Sequence, residues 1–364
     1  MLDDTLLADP RALAALDTGG VLRAAATAGA QVRSVAESAA EAGVAALAGT
    51  RPRALVLLRR PGTSGRAGAI LSALLGAGCA VPVVHADTAP SWIGPLDVVI
   101  AHTVDAMDAE LAEAVALAVG RGADVVLSAP SGGPVGAAGA GRVRMLEPRI
   151  PVPPGLDLPR ALAVGLVTVS ALGLLTPSLA PTMDELADTL DAEAERNQPG
   201  HEPFMNPAKS LALRLAEHTP LLWGTDALAA AVAAHAAEAL AAHAGVVAHA
   251  ADIGQAAQLP GLHRALAAAA ATRDVFHDPF DDPDRAVAAP PPRLVLLATD
   301  DDDPVQTCVR RTGRTWPSAD VLHPVEEVPR GTRHATLLRA ALLASRFDAA
   351  AAYLGLATHT IEPA

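Results

Sequence analysis

The sequence predicts an α/β protein. Short apolar strands alternate with helices, glycine-rich turns join them, and a proline-rich segment separates two such alternations. The chain has 364 residues, enough for two compact domains. Hydrophobic residues make up 51% and aromatics 2%, so the cores must be built from Ala, Leu and Val.

Asp9-Pro10 opens a helix, with Asp9 as N-cap and Pro10 in the first helical position. Helical segments run to about residue 42, where Gly43 stops them. Residues 54–59 (ALVLLR) form a buried strand and 64–75 a helix ending at Gly76. Strands follow at 79–85 and 96–102, then a helix at 105–119, then strands at 124–128 and 142–146. The Pro-rich segment 148–159 divides the chain into domains 1–155 and 156–364. The uncharged run 161–183 has a helical part ending near Leu175, short for a membrane span, and predicts a buried helix. An acidic helix covers 183–195. The alternation resumes with a strand at 221–224, a helix at 226–242, and strands near 246–249, 294–298 and 320–323. A helix from about 332 to 353 closes it, and residues 278–292, rich in Pro and Asp, predict an exposed loop.

The formal net charge of −13 argues against nucleic acid and against an anionic membrane surface as partners. Cys79 and Cys308 lie far apart with no CxxC, so neither a disulfide framework nor a zinc ribbon is expected. The opening MLDDTLLADP carries acid where a signal peptide needs base, which predicts a cytoplasmic protein. The 27 basic residues include a single lysine, Lys209, in NPAKS. A point-charge ammonium in an arginine-using chain fits a small anion or a carbonyl, which makes Lys209 a candidate ligand-binding residue; the plain alternative is an exposed helix lysine.

Three strand-to-helix junctions are candidate anion sites. PGTSGRAG, residues 61–68, offers Gly62, Thr63 and Ser64: glycines let a ligand approach, and helix N–H groups attract anions. The plain alternative is a turn capped by Ser64. IAHTVDAMDAE, residues 100–110, offers the Thr103 hydroxyl, but Asp105 and Asp108 cap the helix and repel phosphate. APSGGP, residues 129–134, offers Ser131 and Gly132 or is a simple glycine turn. No Walker A loop, GxGxxG, HExxH or GxSxG occurs, so no metal and no cofactor is expected. His235, His243 and His249 are not three or four apart and predict scattered histidines. The run Asp300–Asp303 is a solvated loop or, less simply, a divalent-cation site.

Read together, these segments resemble the bifunctional phosphoglucose/phosphomannose isomerase family, which has two sugar isomerase (SIS) domains. LVLLRRPGTSGRAG is similar to the family's first strand and GxGGSxxxG turn, with Ser64 at the family serine. DVVIAHTVDAMDAELAEAVALAVGRGADVVLSAPSGG resembles VIAVSYSGNTEET, a helix, RGA, a strand and SGG. PPGLDLPRALAVGL resembles GxxPRxAxGYL, placing Arg160 at the family arginine. NPAKSLALRLAEHTPLLWG resembles the NxAKxxAxxL helix and its strand, and RFDAAAAYLGLATHTIEP the terminal helix. The resemblance implies two three-layer αβα domains, each a parallel sheet flanked by helices. It implies a sugar-phosphate ligand, a homodimer, and metal-independent aldose–ketose isomerisation with a Glu as base and a His in ring opening. Within it, LPGLH makes His263 the family His and puts Val247 near the base, while residues 244–251 contain no carboxylate. Thr103, Asp105 and Asp108 replace two serines and a threonine of the phosphate loop. The implied protein binds a sugar phosphate and is catalytically degenerate. The alternative is an active glucose-6-phosphate/mannose-6-phosphate isomerase whose base is Glu238 or Asp252.

Overall fold

The computed structural model describes residues 2–139, 141–175, 179–271 and 290–361. Four helices come first: α1 (Asp4–Ala8), α2 (Pro10–Leu16), α3 (Val21–Ala25) and α4 (Ala28–Glu41). Asp9 caps α2 and Pro10 is its first residue, as the sequence predicts.

The first α/β unit is β1 (Ala54–Leu58), α5 (Ser64–Leu75), β2 (Val83–Ala86), β3 (Asp97–His102), α6 (Ala109–Gly120), β4 (Asp124–Ser128), α7 (Gly133–Ala138) and β5 (Arg144–Met145). Helices α8 (Leu158–Ala171), α9 (Met183–Arg196) and α10 (Pro207–Leu215) lead to the second unit. That unit is β6 (Thr219–Gly224), α11 (Ala227–Ala244), β7 (His249–Asp252), α12 (Ile253–Ala256), α13 (Pro260–Ala271), β8 (Pro292–Leu297), α14 (Pro304–Thr312), β9 (Asp320–Leu322) and α15 (Ala335–Ala357).

Both sheets are wholly parallel. Their strand orders are β2-β1-β3-β4-β5 and β7-β6-β8-β9, so the second repeats the order of the first four strands. In each, the order reverses between the first strand of the unit and the strand pairing its other edge, β3 or β8. The crevice beyond the carboxyl ends at such a reversal is where open α/β sheets bind ligands.

Strand periodicity makes the layers. Leu55 and Leu57 face one side of the first sheet, with Ile70, Leu71, Leu162 and Val164; Val56 and Leu58 face the other, with Leu111 and Val115 of α6. Leu222, Val295 and Leu297 of the second sheet join the same central core as Leu55, which therefore runs through both units. Leu221, Trp223, Leu294 and Leu296 pack outward with Ile253 and Cys308. Helix α8 is buried as predicted and packs on α4, α5 and strands β3 and β4. Helices α11 and α15 are long and apolar enough to cross a bilayer, but α15 is wholly enclosed and α11 more than half so. Their close crossing depends on Gly355, where a Cβ would sit 2.0 Å from the His243 carbonyl oxygen.

Several boundaries differ from the sequence reading. The strand placed at 79–85 is Val83–Ala86, and the one placed at 246–249 is His249–Asp252. The strand placed at 142–146 shrinks to Arg144–Met145. The helix placed at 105–119 begins at Ala109, because Asp108 is its cap, its side chain accepting from Leu111 N. Most of the loop placed at 278–292, and the last residues of the terminal motif, lie outside the described residues.

Candidate functional site

At the first unit's crevice, the loop after β1 carries Arg60, Gly62, Thr63 and Ser64, and the loop after β3 carries Thr103, Asp105 and Asp108. Its centre is filled by the chain itself. Arg60 grips Asp108 in a two-pronged pair, Nε to Oδ2 and Nη2 to Oδ1, both at 2.7 Å. It also donates to Glu110 at 2.9 Å. The side chains of Arg60 and Asp108 are 9% and 8% exposed. Burial works against the Asp108 charge, but Arg60 outweighs it and holds the carboxyl below its usual range. A carboxylate on this helix N-terminus, matched by a guanidinium, satisfies both the helix end and the Arg60 charge within the chain.

The neighbouring hydroxyls are also engaged. Ser64 Oγ accepts from Arg60 N at 2.7 Å and donates to Arg60 O at 2.9 Å, so it closes the turn rather than capping α5. The cap position belongs to Thr63. Thr103 Oγ1 accepts from Asp105 N at 3.1 Å, and Asp105 accepts from Met107 N at 2.8 Å. Ser131 donates to Glu147, and Gly132 stands exposed before α7. In the second unit Asp226 caps α11 and also accepts from Thr299 N and Oγ1, at 3.1 and 2.9 Å.

Beside the filled crevice, a cavity of about 200 Å³ opens between the units. Gly62, Thr63 and Gly155 form one wall, and His235, Glu238, Ala239, Ala242 and His243 of α11 the other. Thr63 Oγ1 does not cap its helix; it donates to Asp157 Oδ2 at 2.7 Å. His102 Nε2 meets the same oxygen at 2.7 Å, and its Nδ1 lies 3.1 Å from Ser128 Oγ. Burial pushes the Asp157 carboxyl upward, but the His102 contact and charge, with Thr63, bring it down to about 2. The folded value lies below the unfolded one. This carboxylate therefore contributes about 2–3 kcal/mol of stability above pH 4, lost as the pH falls from about 4 through 2. Urea unfolding at stepped pH should show that fall, and Asp157→Asn should flatten it.

On the α11 wall, His235 Nε2 meets Asp348 Oδ1 of α15 at 2.8 Å. Burial opposes the imidazolium, yet Asp348 overcomes it and raises the His235 pKa. His243 is different: burial lowers its pKa, and its Nε2 is buried with no hydrogen-bond partner. Gly155, at φ +92°, makes room for it, since a Cβ there would lie 3.1 Å from that nitrogen. Glu238 forms an ion pair with Arg66 of α5 across the unit boundary.

The remaining residues singled out by sequence lie elsewhere. Arg160, on α8, is buried and donates to the Ile150 carbonyl; burial lowers its pKa, with Asp157 opposing. His263 sits on the outer side of the second sheet, edge-on to Trp223 and Trp316 at 5.9 and 5.6 Å, with Nε2 3.0 Å from Ala256 O. Lys209 is buried; its Nζ donates to Pro199 O and His201 O at 2.7 and 2.8 Å and lies 5.5 Å from the Tyr353 ring. Its ammonium is thus held by the 199–201 turn, and it is not among the residues lining the cavity. Asp252 is held by Arg311 and caps α12, and Val247 is 80% exposed. Asp301 to Asp303 are paired or capping: Asp301 with Arg339, Asp302 with Arg310, Asp303 on α14. No cluster of three or more His, Cys, Asp or Glu placed to hold a metal occurs among the described residues.

The sequence singled out Glu238 as an alternative base, and His235 and His243 as scattered histidines, but did not join them into one wall. His235, Glu238, Ala239, Ala242 and His243 fall at i, i+3, i+4, i+7 and i+8, one helix face. Testing the histidines only as pairs hid that pattern.

Two parallel-sheet units of common strand order, with a cavity at their junction, define an α/β protein of layered sheets and helices. Residues 204–363 match the model of the bacterial phospho-glucose isomerase C-terminal SIS domain. Similar solved structures include tagatose-6-phosphate ketose/aldose isomerase from Escherichia coli, at 12% identity, TM-score 0.56 and 95% coverage of both chains. A hypothetical protein from Thermus thermophilus aligns at 13% identity and TM-score 0.61, covering 95% of this chain and 88% of that one. The C-terminal domain of glucosamine-fructose-6-phosphate aminotransferase from Francisella tularensis aligns at 11% and 0.55, covering 94% and 95%. At these identities the likeness speaks for the fold. No curated protein matches by sequence. The match to that SIS domain covers 160 of the 364 residues, and the fold of the chain is like that of these solved structures.

Proposed function

We propose that the protein binds a sugar phosphate in the cavity between its units and does not isomerise it. The carrying observation is the Arg60–Asp108 pair, which fills the first unit's anion position with the chain's own carboxylate. Ser64, Thr103 and Ser131, the hydroxyls the family resemblance assigns to phosphate, are bonded to the chain itself. Isomerisation needs a base within hydrogen-bond reach of the C1 and C2 protons. The segment where the resemblance expects one presents exposed Val247 and no carboxylate. Gly62 and Thr63, on the cavity wall, remain the proposed ligand contacts among the residues chosen by sequence.

One observation favours a second reading, an active isomerase. Glu238 and His243 share the cavity wall, a carboxylate and an imidazole of the kinds that proton transfer and ring opening need. Against it, Glu238 lies outside the segment where the resemblance expects the base, and before a ligand enters it is paired with Arg66. A coupled assay from fructose 6-phosphate to either aldose separates the two. Turnover should stay well below about 1 s⁻¹, the low end for ordinary enzymes. A faster rate that Glu238→Gln abolishes would establish the second reading.

A further inference from the structure

Resting on the binding reading above, we propose that the ligand's phosphate is relocated from the filled crevice to Arg66. There it replaces Glu238 as the partner of that guanidinium. Arg66 is the third residue of α5, one turn past the wall residues Gly62 and Thr63, and it reaches the cavity through its pair with Glu238, which lines it. The N-terminus of this 12-residue helix has no side-chain cap, because the Thr63 hydroxyl is turned to Asp157. The helix end therefore adds positive potential on the Arg66 side of the cavity.

A second, independent feature marks the cavity as built for a polar ligand. His243 lines it, is 9% exposed, and keeps a buried Nε2 without a partner. Buried polar atoms are ordinarily paired, so this enclosed nitrogen behind the cavity wall would gain a partner from a polar group entering beside it.

The Arg66–Glu238 pair is poised for exchange. Its side chains are 35% and 51% exposed, so it contributes little to stability and breaks at small cost. A phosphate dianion offers a guanidinium more charge and more acceptor oxygens than a single carboxylate does. By contrast, Arg60 is shut in with Asp108 and Glu110 and is not free to exchange. Once displaced, Glu238 stays at the cavity wall, where a carboxylate accepts hydrogen bonds from sugar hydroxyls.

The test is calorimetric titration of the full chain with glucose 6-phosphate, and separately with inorganic phosphate. Arg66→Gln should weaken glucose 6-phosphate binding about tenfold or more, as expected for loss of a charged hydrogen-bond partner. Glu238→Gln should leave inorganic phosphate bound about two- to fivefold more tightly, since it removes the competitor for Arg66. A merely structural ion pair would make both variants behave alike, so equal effects overturn the proposal. Saturation that Arg66→Gln leaves unchanged overturns the subsite alone. If none of glucose 6-phosphate, mannose 6-phosphate or fructose 6-phosphate saturates the wild type, the binding reading falls with it. Melting curves for both variants check that each is folded.

Discussion

Replacing Arg346 with alanine should destabilise the protein by about 3–5 kcal/mol, the range for removing one partner of a buried ion pair. Arg346 Nε and Nη2 donate to the two oxygens of Glu193 at 2.7 and 3.0 Å, and Nη2 also meets Glu327. Glu193 is fully buried; its other partners are Arg196 at 3.0 Å and Asn197 at 2.8 Å. Without Arg346 its charge stays in the core and faces only the partly exposed Arg196. The pair joins α15 to α9, so its loss loosens the helix that carries Asp348 behind the cavity. Urea unfolding of both proteins measures the difference. A loss under about 1 kcal/mol, the level of an exposed pair, would contradict the burial argument.

Asp108→Ala should be nearly as costly and more informative. It removes the cap of α6, typically about 1 kcal/mol. It also leaves Arg60, 9% exposed, with the exposed Glu110 as its only carboxylate. Together these should cost about 3–5 kcal/mol. If Asp108 stands where an anion would sit, the variant has a vacant anion position facing Arg60 and a helix N-terminus. Millimolar sulfate should then restore part of its stability by binding the folded state at that position, a gain beyond any that the wild type shows. Equal responses of wild type and variant to sulfate would show that Asp108 is a cap and not a substitute anion.

The fold was legible where periodicity and burial coincide. Strands β1 and β3 are buried at every position, so their unbroken apolar runs read directly as a parallel sheet covered on both faces. The edge strand β2 is only partly buried, and Cys79 to Pro82 lead into it without joining it, so its start was misplaced. The site was legible in half. Gly62 and Thr63 announce themselves as a glycine turn between strand and helix. The contacts of Asp157 with Thr63 and His102 span 94 and 55 residues and leave no local trace. Likewise, Asp108 was legible as a cap, but nothing local tied it to Arg60, 48 residues earlier.

The central claim, binding without turnover, is tested most directly by phosphorus NMR of fructose 6-phosphate with a stoichiometric amount of protein. The account predicts a resonance that shifts or broadens saturably as protein is added, with no aldose phosphate signal growing in over hours. New resonances of glucose 6-phosphate or mannose 6-phosphate would contradict the claim that chemistry is lost. A fructose 6-phosphate signal unmoved by excess protein would contradict the claim that binding is kept.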